Sequence, residues 1–233
     1  MTFSQGRVAA VCAALVGVFL FWTVAAVDVP HGASDATLLA WWQDTGNRWS
    51  GVWSGLSAIG VAVTVAVVRH HLGRLDAARD SAWMALGRSM ATAVTAVWLV
   101  TGAVRASVGR LVDVSDEPLP GVDTLRAVTA VNYALLGLSG MAVLGLMILG
   151  FSVAGLRTGV LPRWLAWWGV TTAVLMSAAT LAQYGAYLTL LAIVWSLGLA
   201  VVLWRQAGQS VSSATVAPDA ATSAAESTVN ATP

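Results

Sequence analysis

Four polar residues lie within or at the edges of long apolar segments, and their types could bind or transfer a substrate. They are Arg105, Asn132, Tyr133 and Gln183. A charged or strongly polar group at membrane depth usually marks a substrate pathway or an active site, because hydrocarbon does not solvate it. We therefore take these residues as candidates for a substrate site or pathway. For Arg105 we favour a structural explanation over substrate binding, in which its side chain extends outward from a helix end and pairs with an outer carboxylate such as Asp113.

A second group of basic side chains lies in the connector between two apolar segments. Its apolar residues recur at steps of three and four, which is typical of a helix with one apolar face. Basic residues on such a helix contact anionic lipid headgroups, at about 1 kcal/mol each, or dock on a partner protein, and we favour lipid contact. The four residues are Arg69, Arg74, Arg79 and Arg88.

The remaining reactive residue types do not form a recognisable centre. His70 and His71 are adjacent, so on a helix they point about 100° apart, and His31 falls in a different segment. Cys12 is the single cysteine and lies in an apolar run, which is typical of a small buried side chain. No carboxylate falls inside an apolar segment. We therefore expect no catalytic residue, no metal site and no cofactor.

The elements that position these residues follow from composition. Hydrophobic residues make up 58% of the 233 residues and charged residues only 10%, whereas a soluble domain carries about 25% charged residues. A helix crosses the membrane with about 20 apolar residues. Six segments qualify, which predicts an all-α, polytopic bundle of transmembrane helices: 8–27, 52–68, 91–108, 128–154, 164–182 and 186–204.

Charge distribution predicts how the bundle is oriented. All twelve basic residues are arginines, and eight of them fall in segments on one side of the six predicted spans. Arginine is retained on the cytoplasmic side, so both termini are expected in the cytoplasm of a bacterium, with the chain in the inner membrane. A signal peptide cleaved after Ala25 and Ala26 is the alternative for the first segment, and it would leave five spans.

Two further segments complete the predicted organisation. Residues 35–44 follow Pro30 and Gly32 and contain Trp41 and Trp42, a pattern that indicates a short helix lying at the outer membrane surface. Residues 1–205 form the transmembrane domain. Residues 206–233 are rich in Ala, Ser and Thr, and we expect a disordered cytoplasmic tail.

Small residues recur along the predicted spans, as at Gly51 and Gly55. Such residues let helices approach closely in lipid, within one chain or between copies. The lipid bilayer is the expected environment, a second copy or another membrane protein is an open alternative, and no nucleic acid is expected to bind.

One loop carries a resemblance. Residues 157–169 read Arg-Thr-Gly-Val-Leu-Pro-Arg-Trp-Leu-Ala-Trp-Trp-Gly. This is similar to the basic, Leu-Pro-Arg-Trp-Leu and following Gly pattern of an uncharacterised bacterial family of six-span membrane proteins, a domain of unknown function. The resemblance implies the six-span topology and supplies no catalytic residue.

These observations favour a non-enzymatic membrane protein, either a small-molecule transporter or an accessory subunit that modulates one. The alternative is a membrane-embedded enzyme that acts on lipid headgroups at the cytoplasmic face. In that hypothesis the connector arginines hold the headgroup, and Asp76 and Asp80 are the only nearby groups for acid–base chemistry.

Overall fold

The computed structural model describes the backbone of residues 3–25, 29–30, 32–75, 81–182 and 184–229, and within these ranges the side chains of residues 5–24, 29–30, 32–74, 81–182 and 184–209. In these ranges all regular structure is helical. The elements in chain order are α1 (Phe3–Ala25), α2 (Asp35–Gln43), α3 (Thr45–Leu75), α4 (Ala82–Asp113), α5 (Val122–Tyr133), a π-helix (Ala134–Gly140), α6 (Met141–Thr158), α7 (Arg163–Leu181), a 3₁₀-helix (Gly185–Leu188) and α8 (Thr189–Val229).

Six of these helical stretches are long and apolar enough to cross a membrane. They are Gln5–Val24, Thr45–Arg74, Ala82–Asp113, Val122–Thr158, Arg163–Leu181 and Gly185–Gln209. Each overlaps one of the six segments predicted from the sequence, so the predicted all-α fold class with six spans is confirmed. The chain is a multi-pass membrane protein.

The six spans are arranged in a ring. Along the chain, α3 packs on α1 and α4, α6 packs on α4 and α7, and α8 returns to pack on α1 and α7. The interior of this ring is apolar and includes the fully buried side chains of Trp98, Leu144 and Phe151.

Glycines bring α3 and α4 into backbone contact. A Cβ atom on Gly51 would lie 2.8 Å from the carbonyl oxygen of Arg105, and one on Gly55 would lie 2.7 Å from that of Gly102. Only glycine fits at these approaches, since a real Cβ does not come so close to a backbone oxygen. The predicted role of Gly51 and Gly55 in close helix packing is therefore confirmed, within one chain.

The short helix α2 occupies the segment for which the sequence predicts a surface helix. Ser34 caps its N-terminus by accepting a hydrogen bond from the backbone N–H of Thr37 at 3.3 Å. Trp42 does not lie at the surface as expected. It is 3% exposed and packs in a small apolar cluster with Leu38 and Leu125, because α2 folds over the end of the bundle.

The last helix is longer than the predicted span. α8 continues to Val229, through much of the segment whose composition predicts a disordered tail. Alanine-rich sequence is compatible with a helix on propensity alone. Disorder of residues 206–233 stays a prediction.

Candidate functional site

A cavity of about 980 Å³ lies at the end of the bundle that α2 covers. Its wall is formed by the ends of α1 and α7, by α2, α4 and α5, by the π-helix and by the 3₁₀-helix before α8. Most of the lining is apolar, with Val24, Leu38, Leu136 and Leu138 among the contributing side chains. This size falls in the range of small-molecule sites, about 300–1,000 Å³.

The backbone around this cavity departs from the α-helix at several points. The π-helix Ala134–Gly140 interrupts the fourth span, and the 3₁₀-helix Gly185–Leu188 opens the sixth. Gly32, at the rim, has a φ of 72°. π-Helical turns occur frequently at functional sites, and irregular backbone at membrane depth is tolerated where it is buried or lines a cavity.

Arg105 is the buried charge of this cavity. It lies eight residues before the end of α4, or about 12 Å along the helix, and is 5% exposed. Its Nε donates to Oδ1 of Asn132 at 2.8 Å, and its Nη1 donates to Oγ of Ser54 at 2.6 Å and to the carbonyl oxygen of Thr23. Nη2 donates to no described residue, and Arg105 is part of the cavity wall.

The described groups that hold Arg105 are all neutral. No described carboxylate pairs with it, and Asp113, the partner suggested by the sequence, instead accepts hydrogen bonds from Arg48 at 2.6–3.0 Å. The suggested outward extension of Arg105 is therefore wrong. Its side chain turns into the bundle because Arg105 belongs to the buried face of α4.

The spacing of that face explains the position of Arg105. The buried residues of α4 include Val94, Trp98, Thr101, Arg105 and Val108, at alternating steps of four and three. This repeat places one side of a helix against its neighbours. The same repeat could have identified Arg105 as inward-facing from the sequence.

The other sequence candidates have different positions. Tyr133 lines the cavity and donates from its hydroxyl to the carbonyl oxygen of Val29 at 2.9 Å. Asn132 is buried and contacts Arg105. Gln183 lies outside the described residues. The structure thus brings Arg105, Asn132 and Tyr133 together on α4 and α5.

The sequence did not indicate several residues that contact Arg105 or line the cavity. Ser54 and Thr23 are part of a buried polar network in which Thr23 Oγ1 and Ser57 Oγ also lie 2.9 Å apart. Small hydroxyl residues are common in apolar helices, so no sequence signal distinguishes these ones. Thr180 and Tyr187 join the cavity wall through the fold alone.

An ion pair lies at the rim of the cavity. Arg126 Nη2 is 2.5 Å from Oδ1 of Asp35, and it also donates to the carbonyl oxygen of Ala33 at 2.9 Å. This pair connects α5 to the start of α2. The charge of Arg126 is thereby balanced, whereas no carboxylate in the described part of the chain balances that of Arg105.

The connector arginines that the sequence singled out and the structure describes lie at the opposite end of the bundle. Arg69 Nε donates to the carbonyl oxygen of Arg88 at 3.1 Å, and Arg74 Nη1 donates to Oε1 of Gln5 at 3.4 Å. Arg79, Asp76 and Asp80 lie outside the described residues. Among the side chains that the structure does describe, this end holds no carboxylate, so a site with both a headgroup clamp and an acid–base group is not formed by them.

The fold and this cavity define a multi-pass helical membrane protein in which a buried arginine, unbalanced by any carboxylate that the structure describes, faces an apolar chamber. Comparisons with protein-family models, with curated proteins and with solved structures find no match. The resemblance of residues 157–169 to a six-span bacterial family accordingly stays a prediction.

Proposed function

We propose that this protein is a non-enzymatic, transporter-like or accessory membrane protein that holds a small-molecule substrate in the cavity beside Arg105. The observation that carries the proposal is the combination of a chamber of about 980 Å³ with a buried guanidinium that no described carboxylate balances. A charge at membrane depth is costly, and it is retained where it serves a pathway or a ligand.

The proposal includes the orientation of the chain. The arginine-rich end, with Arg7, Arg74, Arg157 and Arg205, faces the cytoplasm of a bacterium, and the cavity opens in the outer half of the inner membrane. The support is the retention of arginine on the cytoplasmic side. The six-span resemblance of residues 157–169 agrees with this arrangement.

Thiol accessibility tests the proposed site. Cys12 is first replaced by Ala, which leaves a chain without cysteine. Ala130, in the cavity wall, and Val131, which is 49% exposed and outside that wall, are then replaced by Cys one at a time. We expect a small, water-soluble, membrane-impermeant thiol reagent added to intact cells to modify A130C much faster than V131C.

The two positions are a matched pair, because they are adjacent on α5 and differ in the direction of their side chains. Protection of both cysteines would contradict a cavity that a water-soluble molecule can reach. Equal modification of both would contradict the placement of α5 at membrane depth.

The alternative of an enzyme acting on lipid headgroups rests on the arginine end. Its arginines fit headgroup binding, but the candidate acid–base residues are only Asp76 and Asp80. If replacing both with Asn removes a lipid-modifying activity of the purified protein, the enzyme hypothesis replaces the one proposed here.

A further inference from the structure

We propose that the ligand of the cavity is a single-chain amphiphile with one acidic headgroup, which pairs with Arg105 while its chain lies against the apolar wall. This inference rests on the proposed function and names the class of substrate. It is carried by the charge of the cavity, by the hydrogen bonds already made in its wall and by its apolar lining.

The charge of the cavity selects an anion. Arg105 contributes a positive charge that Asn132, Ser54 and Thr23 solvate but do not neutralise. Its Nη2 carries two N–H donors with no described acceptor. A guanidinium binds carboxylate and phosphate oxygens well, and such a pair is strong where water is scarce.

The two described carboxylates that are paired near this end of the bundle do not compete for Arg105. Asp113 is occupied by Arg48, and Asp35 is occupied by Arg126. A ligand that brings its own acidic group therefore supplies the missing counter-charge. A cationic ligand would add a second unbalanced charge beside Arg105, which excludes it on electrostatic grounds.

Three of the four hydroxyl groups in the described wall, all but that of Tyr187, already donate to backbone carbonyl oxygens, which leaves few partners for a sugar or another polyhydroxyl ligand. Thr129 Oγ1 donates to the carbonyl oxygen of Leu125 at 2.8 Å, and Thr180 Oγ1 donates to that of Met176 at 2.7 Å. The hydroxyl of Tyr133 donates to Val29. These donors are already used, and a polar ligand whose groups stay unpaired on burial loses affinity.

The remaining wall suits a hydrocarbon chain. Leucines from the π-helix, Leu136 and Leu138, face the chamber together with Val24 of α1 and Leu38 of α2. Burial of each methylene against such a surface contributes about 0.8 kcal/mol. One chain can therefore be held by the wall while its acidic end reaches Arg105.

Photo-crosslinking of the purified full-length protein in phosphatidylcholine nanodiscs tests the inference. The probes are a palmitate analogue with a diazirine in its chain, the lysophosphatidate that carries the same chain, and the methyl ester of the palmitate analogue. Crosslinked residues are mapped by peptide mass spectrometry. Residues 134–138 report the cavity, and Val174 and Leu175, exposed on α7, report the surrounding lipid.

We expect one or both acidic probes to crosslink residues 134–138 about tenfold more than the methyl ester does, the effect of one charge-assisted pair. Arg105→Gln should lower crosslinking by the acidic probes to the level of the methyl ester. Arg105→Lys should retain part of the difference between them. Arg110→Gln, an exposed arginine on the same helix, is the matched control and should change nothing. For each probe, crosslinking at Val174 and Leu175 should be equal in the wild-type protein and in all of these variants.

A second variant keeps the test valid if Arg105→Gln does not fold. Ala130→Trp places a large side chain in the chamber and leaves Arg105 in place, and it should lower crosslinking at residues 134–138 by every probe. Equal crosslinking by acid and ester in the wild-type protein would overturn the inference. If A130C is nevertheless modified by the thiol reagent, the cavity and the proposed function stand and only the anionic class is wrong.

Discussion

Arg105 shows how a single residue in an apolar bundle can be retained at an energetic cost. Three neutral groups solvate its guanidinium, and no described carboxylate balances it. Removing a guanidinium from water costs several kcal/mol, which an opposite charge would offset. The arrangement favours an anionic ligand over maximal stability of the empty protein.

The hydrogen bond from Arg105 to Asn132 predicts non-additive stability. Asn132→Leu leaves Nε of Arg105 unpaired in a buried position, which should cost about 1–3 kcal/mol of unfolding free energy. In an Arg105→Gln background the same change should cost much less, because the donor at that position is gone. Reversible unfolding of the four proteins in detergent measures this double-mutant cycle.

Thr129→Val provides the control for this cycle, since Thr129 lies about one turn earlier on α5 and donates to its own helix. Thr129→Val should lower the unfolding free energy by the same amount in the wild-type and the Arg105→Gln backgrounds. Equal costs of Asn132→Leu in the two backgrounds would show that Asn132 does not support Arg105.

At the level of elements, two ion pairs of different burial lie around α2: one joins α3 to α4, and the other joins α2 to α5. Arg48 pairs with Asp113 at 2.6 Å, with side chains 9% and 12% exposed, and its Nη1 also donates to the carbonyl oxygens of Trp42 and Gln43. It thereby connects the end of α2 to α3 and α4. Arg126 and Asp35 form the second pair, with side chains 42% and 65% exposed.

Burial predicts unequal effects of breaking these pairs. Asp113→Asn leaves the charge of Arg48 buried without its partner and should cost about 3–5 kcal/mol. Asp35→Asn breaks a pair that water screens and should cost no more than about 1 kcal/mol. Thermal and denaturant unfolding of the two variants checks this order, and equal losses would show that Asp113 contributes only as a surface charge.

The sequence did not indicate the π-helix or the 3₁₀-helix. Val122–Thr158 reads as one apolar helix, yet Ala134–Gly140 adopts a π-helix in the middle of it. The backbone is closely packed here, since a Cβ atom on Gly140 would lie 3.2 Å from the ring of Trp98, and one on Gly185 would lie 3.0 Å from the carbonyl oxygen of Gly137. These contacts come from α4 and from the turn before α8.

For the whole molecule, charge is divided between the two ends of the ring. Arg7, Arg157 and Arg205 share one end, where the rings of Trp204 and Trp83 lie 5.0 Å from Arg7 and 5.9 Å from Arg157. The other end carries all the carboxylate side chains that the structure describes: Asp35, Asp44, Asp113, Asp116, Glu117 and Asp123. This division is the physical basis of the proposed orientation.

Labelling from the two sides of the membrane tests that orientation. In the Cys12→Ala background, Ser115→Cys in the exposed loop after α4 should react with an impermeant thiol reagent in intact cells. Gly208→Cys, at the end with the arginines, should react only after permeabilisation. Each cysteine is the control for the other, and the reverse pattern would place the arginine end outside.

The sequence by itself determined the class of the protein and the number and order of its spans, because hydrocarbon imposes length and polarity on each crossing helix independently of its neighbours. It also determined which end of the bundle each arginine outside the spans occupies. The tertiary structure alone decided which polar side chains meet. Arg105 finds Asn132 rather than Asp113, and a chamber forms beneath α2, because these contacts depend on the rotation of each helix and on backbone approaches at Gly51 and Gly55 that join residues far apart in the chain.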